Sequence, residues 1–83
     1  MAEPLIVTPL SQSIANEIAR QMKEQHIGAM KLERMLDGNV NMYTVRRIRK
    51  GSSGCLLRSY EQVLDALNLR LCVVPKHHPD IID

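Results

Sequence analysis

The segment 40–51 carries the side chains most able to do chemistry, because it combines concentrated positive charge with a narrow apolar side. Val45 and Ile48 stand three residues apart, which places them on one side of a helix and predicts that they face a core. The cations of the segment then surround its remaining surface: Arg46, Arg47, Arg49 and Lys50. A helix with this distribution predicts a partner that carries negative charge.

Both ends of this helix are marked by residue type. Asn41 is favoured as an N-cap because its side-chain oxygen can accept a hydrogen bond from an amide of the first turn. Gly51 is typical of the position after the last turn, where the chain adopts a left-handed conformation. A helix over residues 41–50 would be unstable alone in water. Flanking elements must therefore hold it in place.

The positive charge of the chain is local. The 83 residues include 11 Lys and Arg against 9 Asp and Glu, a net charge of +2. The span 38–60 contains five of the basic residues and no acidic one, so the rest of the chain carries six basic and nine acidic residues. A positive patch on a slightly acidic body is typical of proteins that bind nucleic acid. A solvated basic face or a site for an acidic protein is the alternative.

Composition narrows the class of protein further. The length fits one domain over 1–83, with an expected core at about 8–75 and a mobile tail at 76–83. The chain has no Trp or Phe and only two Tyr, which argues against stacking of single-stranded bases. No apolar run approaches the ~20 residues of a membrane span, so no membrane partner is expected. The first residues carry an acid and no basic side chain, so no signal peptide is expected.

Nothing in the residue pattern predicts catalysis, a cofactor or a metal. There is no Gly-rich phosphate loop, no pair of carboxylates at useful spacing and no nucleophile–histidine arrangement, so we expect no enzymatic activity. Cys72, His77 and His78 form one cluster near a polar tail, whereas zinc usually takes four well-spaced ligands. Cys55 and Cys72 lack the spacing of a redox motif, which favours a reducing cytoplasm; a disulfide between them is the alternative.

The hydrophobic pattern predicts an all-α fold of four to five short helices with a short β-strand at each terminus. Strands are expected at 5–7 and 69–74, and we favour their pairing across a dimer, with pairing inside one chain left open. The first helix is expected at 9–25, with Thr8 as its N-cap and Pro9 at its first position. The later elements are a helix over 29–36, a turn at 37–39, the basic helix, and a last helix that Ser59 caps. Leu56 and Leu57 are an alternative start, of a further turn or helix. The last helix is expected to have an apolar stripe of Tyr60, Val63, Leu64 and Leu67.

Two short helices joined by a tight glycine-containing turn, with the second one basic, form the helix-turn-helix pattern. The chain resembles the Cro and phage-repressor type of helix-turn-helix domain over about residues 8–75. The stretch 48–51, Ile-Arg-Lys-Gly, is similar to the end of that family's recognition helix, and 57–67 is similar to its next helix. The stretch 67–71 is similar to the ending of HipB-type antitoxins, in which a C-terminal strand pairs between protomers.

The resemblance implies roles for residues of the basic helix. Met42, Tyr43 and Arg47 match the family's base-reading positions, whereas Asn41 and Thr44 match positions that often hold phosphates. Side-chain chemistry adds Arg46, Arg49 and Lys50 as phosphate contacts. The alternatives are structural: Met42 can fill the core, and Tyr43 can pack under a neighbouring helix.

Two features depart from the family pattern. The turn between the two helices, at 36–40, is longer than usual. Glu33 also stands where a small residue normally lets the two helices approach. Both departures affect the angle between the helices and therefore the assignment of individual base contacts.

The expected function is that of a cytoplasmic homodimeric repressor which occupies an inverted repeat in double-stranded DNA. Two-fold symmetry would place two recognition helices in successive major grooves, ~34–36 Å apart. A small activator is an alternative. A second alternative is an antitoxin, which would bind a toxin protein and use its DNA contacts to regulate its own operon.

Overall fold

The computed structural model describes residues 5–75, so the predicted tail at 76–83 and the first four residues lie outside the described part of the chain. The fold is all-α, as predicted. Within the described residues four helices follow one another: α1 Pro9–Glu24, α2 Ala29–Met35, α3 Met42–Arg49 and α4 Leu57–Ala66. No helix in this range combines the length and the apolar character that a membrane crossing requires.

Helix α1 begins where the sequence predicts. The Thr8 hydroxyl accepts a hydrogen bond from the Ser11 amide at 3.1 Å, and the Ser11 hydroxyl accepts one from the Thr8 amide at 2.8 Å. Pro9 occupies the first turn, where its missing amide hydrogen costs nothing. Ile18 and Met22 are buried on the side that faces the core. The capping pair therefore fixes the start of the longest helix.

The turn between α2 and α3 is ordered by its own backbone. Gly38 has φ +84°, a left-handed conformation that glycine adopts without strain. The amides of Asn39 and Val40 both donate to the carbonyl of Leu36, at 2.9 and 3.0 Å. Leu36 and Val40 are buried, so both ends of the turn are anchored in the core. The length of this turn is thus part of the packing, and it brings the chain to the start of α3.

Helix α4 differs from the prediction at its start. Leu56 is the N-cap, no side chain caps the helix, and Ser59 lies inside the first turn, so the predicted Ser59 cap is wrong. The predicted apolar stripe is confirmed, since all four of its residues are buried: Tyr60, Val63, Leu64 and Leu67. The four buried residues recur at helical spacing, so they define the packed side of α4 without a polar cap.

The predicted terminal strands are not seen in the described residues. Residues 5–7 contribute one isolated antiparallel bridge, between Val7 and Ser52, and the Ser53 amide donates to the Ile6 carbonyl at 2.8 Å. Residues 69–74 form no strand. Alternating apolar residues there reflect burial on one side: Leu69 and Leu71 pack against the core, while their neighbours are exposed. Alternation predicts which side is buried, but a strand also needs a paired backbone.

The two cysteines do not form the alternative disulfide. Cys55 is half-buried and Cys72 is exposed, and both are free thiols. Cys72 lies in the segment after α4, while Cys55 lies in the loop that precedes α4.

Helix α3 is held from behind by α1 and α4. Its two core residues, Val45 and Ile48, are completely buried, as their spacing predicts. Side chains from the other helices and from the first two connecting turns join them in one cluster: Ile18, Met22, Ile27, Leu32, Leu36, Val40, Tyr60, Val63, Leu64 and Leu67. The core therefore supports one side of α3 and leaves the other side free for a partner.

Candidate nucleic-acid interface

The first turn of α3 is capped by Asn41, as predicted. Its side-chain oxygen accepts hydrogen bonds from the amides of Tyr43 and Thr44, at 2.7 and 3.2 Å. These bonds satisfy two of the amides that a helix start leaves without partners. The Asn41 oxygen is therefore occupied by the helix itself, and only its side-chain NH₂ group is available to donate to a phosphate.

The end of α3 requires a glycine for two reasons. Gly51 has φ +97°, and a Cβ atom at this position would lie 3.2 Å from the Gln12 side-chain oxygen of α1. A larger residue would thus be strained and would press on α1. The close approach ties the end of α3 to the helix behind it.

The exposed side of α3 is a ridge opposite its two buried residues. Successive helical residues rotate by about 100°, so Tyr43, Arg46, Arg47 and Lys50 point away from Val45 and Ile48. Tyr43 is 56% exposed and Met42, at the edge of the ridge, is 53% exposed. Neither residue takes the structural alternative of filling the core or packing beneath a helix. Arg46, Arg49 and Lys50 are also exposed, whereas Thr44 and Arg47 are half-buried.

Two open depressions flank this ridge. One, of about 740 Å³, is lined by the turn 37–41 with Met42, Tyr43 and Arg46. The other, of about 270 Å³, lies on the opposite flank between α3, the loop 54–56 and Ser59. Helix α3 therefore projects between the two depressions. A convex ridge of this kind can enter a groove whose walls fit into the depressions.

Arg47 is positioned by its neighbours. Its guanidinium donates to the Tyr43 hydroxyl at 3.3 Å and to the Ser52 hydroxyl at 3.4 Å, and it lies 5.6 Å from the centre of the Tyr43 ring. The hydrogen bond to Tyr43 raises the pKa of Arg47 above its ordinary value. A guanidinium has five donors, and these two bonds leave others free. The side chain is thus both held in place and still able to bind.

Ser52 is a neighbour of Arg47 that the sequence does not predict. It is completely buried, and its hydroxyl accepts hydrogen bonds from Arg47 and from the Gly54 amide. Its carbonyl accepts from the Tyr60 hydroxyl, which in turn accepts from the Cys55 amide at 3.3 Å. Ser52 therefore connects Arg47 to the core residue Tyr60. No sequence signal could identify it, because a serine in a loop after a helix has no characteristic spacing.

Removal of the Tyr60 hydroxyl is expected to destabilise this loop. Tyr60→Phe should lower the free energy of unfolding by about 1–2 kcal/mol, because the Ser52 carbonyl and the Cys55 amide lose a partner away from water. Urea unfolding measures the change. Tyr43→Phe is the matched control: this hydroxyl is exposed, so its loss should change the same free energy by less than about 0.5 kcal/mol. Equal effects of the two substitutions would contradict the buried network.

The same hydroxyl predicts a dependence of stability on alkaline pH. Burial raises the pKa of Tyr60 in the folded protein. The unfolded chain therefore loses this proton first, so the contribution of Tyr60 is present below about pH 10 and is lost as pH rises through the folded pKa. Urea midpoints measured across this range should fall less steeply for Tyr60→Phe than for the wild type. Parallel curves for the two proteins would exclude Tyr60 as the titrating group.

Arg46 is engaged with another helix. Its Nε donates to one Glu33 oxygen at 3.0 Å and its Nη2 to the other at 3.3 Å, while Nη2 also lies 3.1 Å from the Met42 sulfur. The hydrogen bond to Glu33 raises the pKa of Arg46. The structure thus gives Arg46 a protein partner in the position where the sequence predicts a phosphate contact. The same pair accounts for an acid at position 33, where a small residue was expected.

Arg49 and Lys50 differ from the other two cations. Throughout residues 5–75 neither side chain forms an ion pair or a hydrogen bond with another side chain. Both are exposed near the end of α3. They are therefore the cations of the helix most available to an anionic partner.

Comparisons with protein-family models, curated proteins and solved structures find no match. The resemblance to Cro-type domains stays a prediction. Among the described residues, no three side chains of metal-binding type cluster together.

Proposed function

We propose that the protein is a sequence-specific, double-stranded DNA-binding transcriptional regulator: a cytoplasmic homodimeric repressor that occupies an inverted repeat through α3. The observation that carries the proposal is the form of α3, a basic ridge anchored from behind by Val45 and Ile48 and flanked by two depressions. An α-helix is about 10–12 Å in diameter with its side chains, and the major groove of B-DNA is about 12 Å wide. The ridge can therefore enter this groove, with the two depressions facing the phosphate backbones on either side.

The ridge offers two kinds of contact. Met42, Tyr43 and Arg47 are the base-reading residues: Arg47 can donate two hydrogen bonds to a guanine, and the other two can contact a thymine methyl group. Arg49 and Lys50 bind phosphates by charge, and the Asn41 NH₂ group and the Thr44 hydroxyl add polar contacts. Phosphate contacts supply affinity for any duplex, whereas base contacts select the operator.

A second copy of the chain provides the second recognition helix. Eight residues of α3 extend only about 12 Å, which is enough for one half-site. An apolar cleft of about 140 Å³ is the surface for this second copy; it is lined by Thr8, Leu10, Ser11, Ile14, Ser53, Leu57, Tyr60 and Leu71. Leu10 and Leu57 are 67% and 65% exposed there. The lining has no acid and no basic residue, so two copies can meet without repulsion between like charges.

Selection of bound sites from random duplex DNA tests the proposal. We expect enrichment of an inverted repeat whose half-sites are centred about 10–10.5 base pairs, or a multiple of that spacing, apart. The mass of the protein in solution, measured in parallel, should be that of a dimer. Failure to enrich any sequence would contradict DNA reading by α3.

A charge placed in the apolar cleft should separate the dimer. Leu57→Glu is expected to give a monomeric mass in sedimentation, because a carboxylate buried between two copies would lack a partner. Met30→Glu is the matched control: Met30 is 73% exposed on α2 and lies outside the cleft, so this variant should keep the dimeric mass. A dimer that survives Leu57→Glu would place the interface elsewhere.

A further inference from the structure

The ion pair between Glu33 and Arg46 links α2 to α3 across the helix-turn-helix turn. Both carboxylate oxygens accept from the guanidinium, which is the two-bond fork that arginine also makes with a phosphate. The Arg46 side chain is 58% exposed, but that of Glu33 is only 13% exposed. Withdrawal of Arg46 would leave a largely buried carboxylate without its cation. An external anion that binds Arg46 must therefore first break this two-bond contact.

We propose that Glu33 attenuates DNA binding: it occupies Arg46 as an internal substitute for a phosphate and so removes one cation of α3 from contact with DNA. This inference depends on the DNA-binding function proposed above. It makes Arg46 a positioning residue that fixes α3 against α2, and it leaves Arg49 and Lys50 as the phosphate-binding cations. It also explains why position 33 holds an acid rather than the small residue that a close approach of the two helices would favour.

The charge balance supports this role. Only cations that neutralise phosphates release counterions, and each one adds about 0.9 to the slope of log affinity against log salt concentration. A cation already neutralised by Glu33 adds nothing to that slope. Attenuation of this kind weakens the sequence-independent attraction that holds a regulator on random DNA. None of the base-reading residues Met42, Tyr43 and Arg47 bonds to Glu33 in the described chain, and only Met42 contacts Arg46, through its sulfur at 3.1 Å.

Two variants distinguish attenuation by Glu33 from a phosphate contact made by Arg46. Glu33→Gln keeps the size of the side chain but frees Arg46, so the affinity for random-sequence duplex should rise about three- to tenfold and the salt slope should steepen by about 0.9 per protomer. The double variant Glu33→Gln with Arg46→Gln replaces the ion pair by a neutral amide pair. Its affinity and salt slope should match those of the wild type, because both pairs carry no net charge.

The measurement is duplex affinity by fluorescence anisotropy over about 50–200 mM salt, with thermal melting to confirm that each variant is folded. Glu24→Gln is the matched control: it removes the same charge from α1, where Glu24 lies 3.4 Å from Arg20, and it should change the slope far less. The double variant also keeps the test decisive if Glu33→Gln alone does not fold.

Two outcomes would overturn the inference. One is a Glu33→Gln protein that binds random duplex no more tightly than the wild type. The other is a double variant whose salt slope flattens by about 0.9 per protomer, which would mean that Arg46 contacts phosphates in the wild type. Failure of the wild type to bind any duplex would instead contradict the proposed function itself, so the two failures are distinguishable.

Discussion

Replacement of Arg47 by alanine is expected to remove discrimination at one base pair of each half-site. An arginine that donates two hydrogen bonds to guanine contributes about 5- to 150-fold to selection of that base. Arg47 already bonds to Tyr43 and Ser52, so its side chain has less freedom to lose on binding than a fully mobile arginine has. Its removal should therefore have a larger effect on operator binding than the removal of any other cation of α3.

Lys50→Ala is the matched control for Arg47→Ala. Lys50 lies on the same exposed ridge but has no side-chain partner within the described part of the chain. Its loss should weaken binding to all sequences alike and flatten the salt slope by about 0.9 per protomer. Arg47→Ala should instead reduce operator affinity far more than random-duplex affinity. Equal losses on operator and random duplex for Arg47→Ala would exclude base reading by this residue.

The position and the buried side of α3 could be predicted because their signals are local. Asn41 caps the helix through its own side chain, and Gly51 permits the left-handed conformation that ends it. Val45 and Ile48 lie three residues apart, so their shared side follows from helical geometry. None of these features depends on where the rest of the chain lies, which is why the sequence alone locates them.

The terminal strands and the α4 cap could not be predicted as reliably because they depend on partners. Residues 69–74 have the alternation of a strand, but within residues 5–75 no second segment pairs with their backbone. Ser59 has the chemistry of a cap, yet α4 begins at Leu57, two residues earlier, so Ser59 lies inside its first turn. In both cases tertiary packing outweighs a local preference.

The four cations of α3 are equivalent in the sequence and differ only in their neighbours. Arg46 meets Glu33, which is thirteen residues earlier in the chain, because the long turn brings α2 beside α3. Arg47 meets Ser52, whose buried hydroxyl depends on the loop after α3. The sequence predicts the charge of the ridge. The conformation of two loops determines which of its cations remain free.

Replacement of Ile48 by alanine is expected to lower the free energy of unfolding more than Tyr60→Phe does. Ile48 is completely buried, and loss of a core isoleucine side chain down to alanine costs about 2–5 kcal/mol. A domain of this size has a total stability of roughly 4–12 kcal/mol, so the variant should lose a large share of it. The melting temperature should fall by roughly 10 °C or more.

The position of Ile48 adds a functional consequence. Helix α3 has eight residues and two buried anchors, so without Ile48 only Val45 would hold it against α1 and α4. A helix this short has little stability of its own. We therefore expect faster amide hydrogen exchange in α3 than in α1, and weaker binding to operator and random duplex alike, because the whole ridge loses its support.

Met30→Ala is the control for this prediction, since Met30 is 73% exposed and its truncation should change the free energy of unfolding by less than about 0.5 kcal/mol. Urea unfolding of both variants gives the comparison. A loss below about 1 kcal/mol for Ile48→Ala would show that α3 is not anchored through this side chain. Other contacts would then have to hold α3 against α1 and α4. The proposed entry of α3 into a DNA groove would no longer be explained by the packing of Ile48.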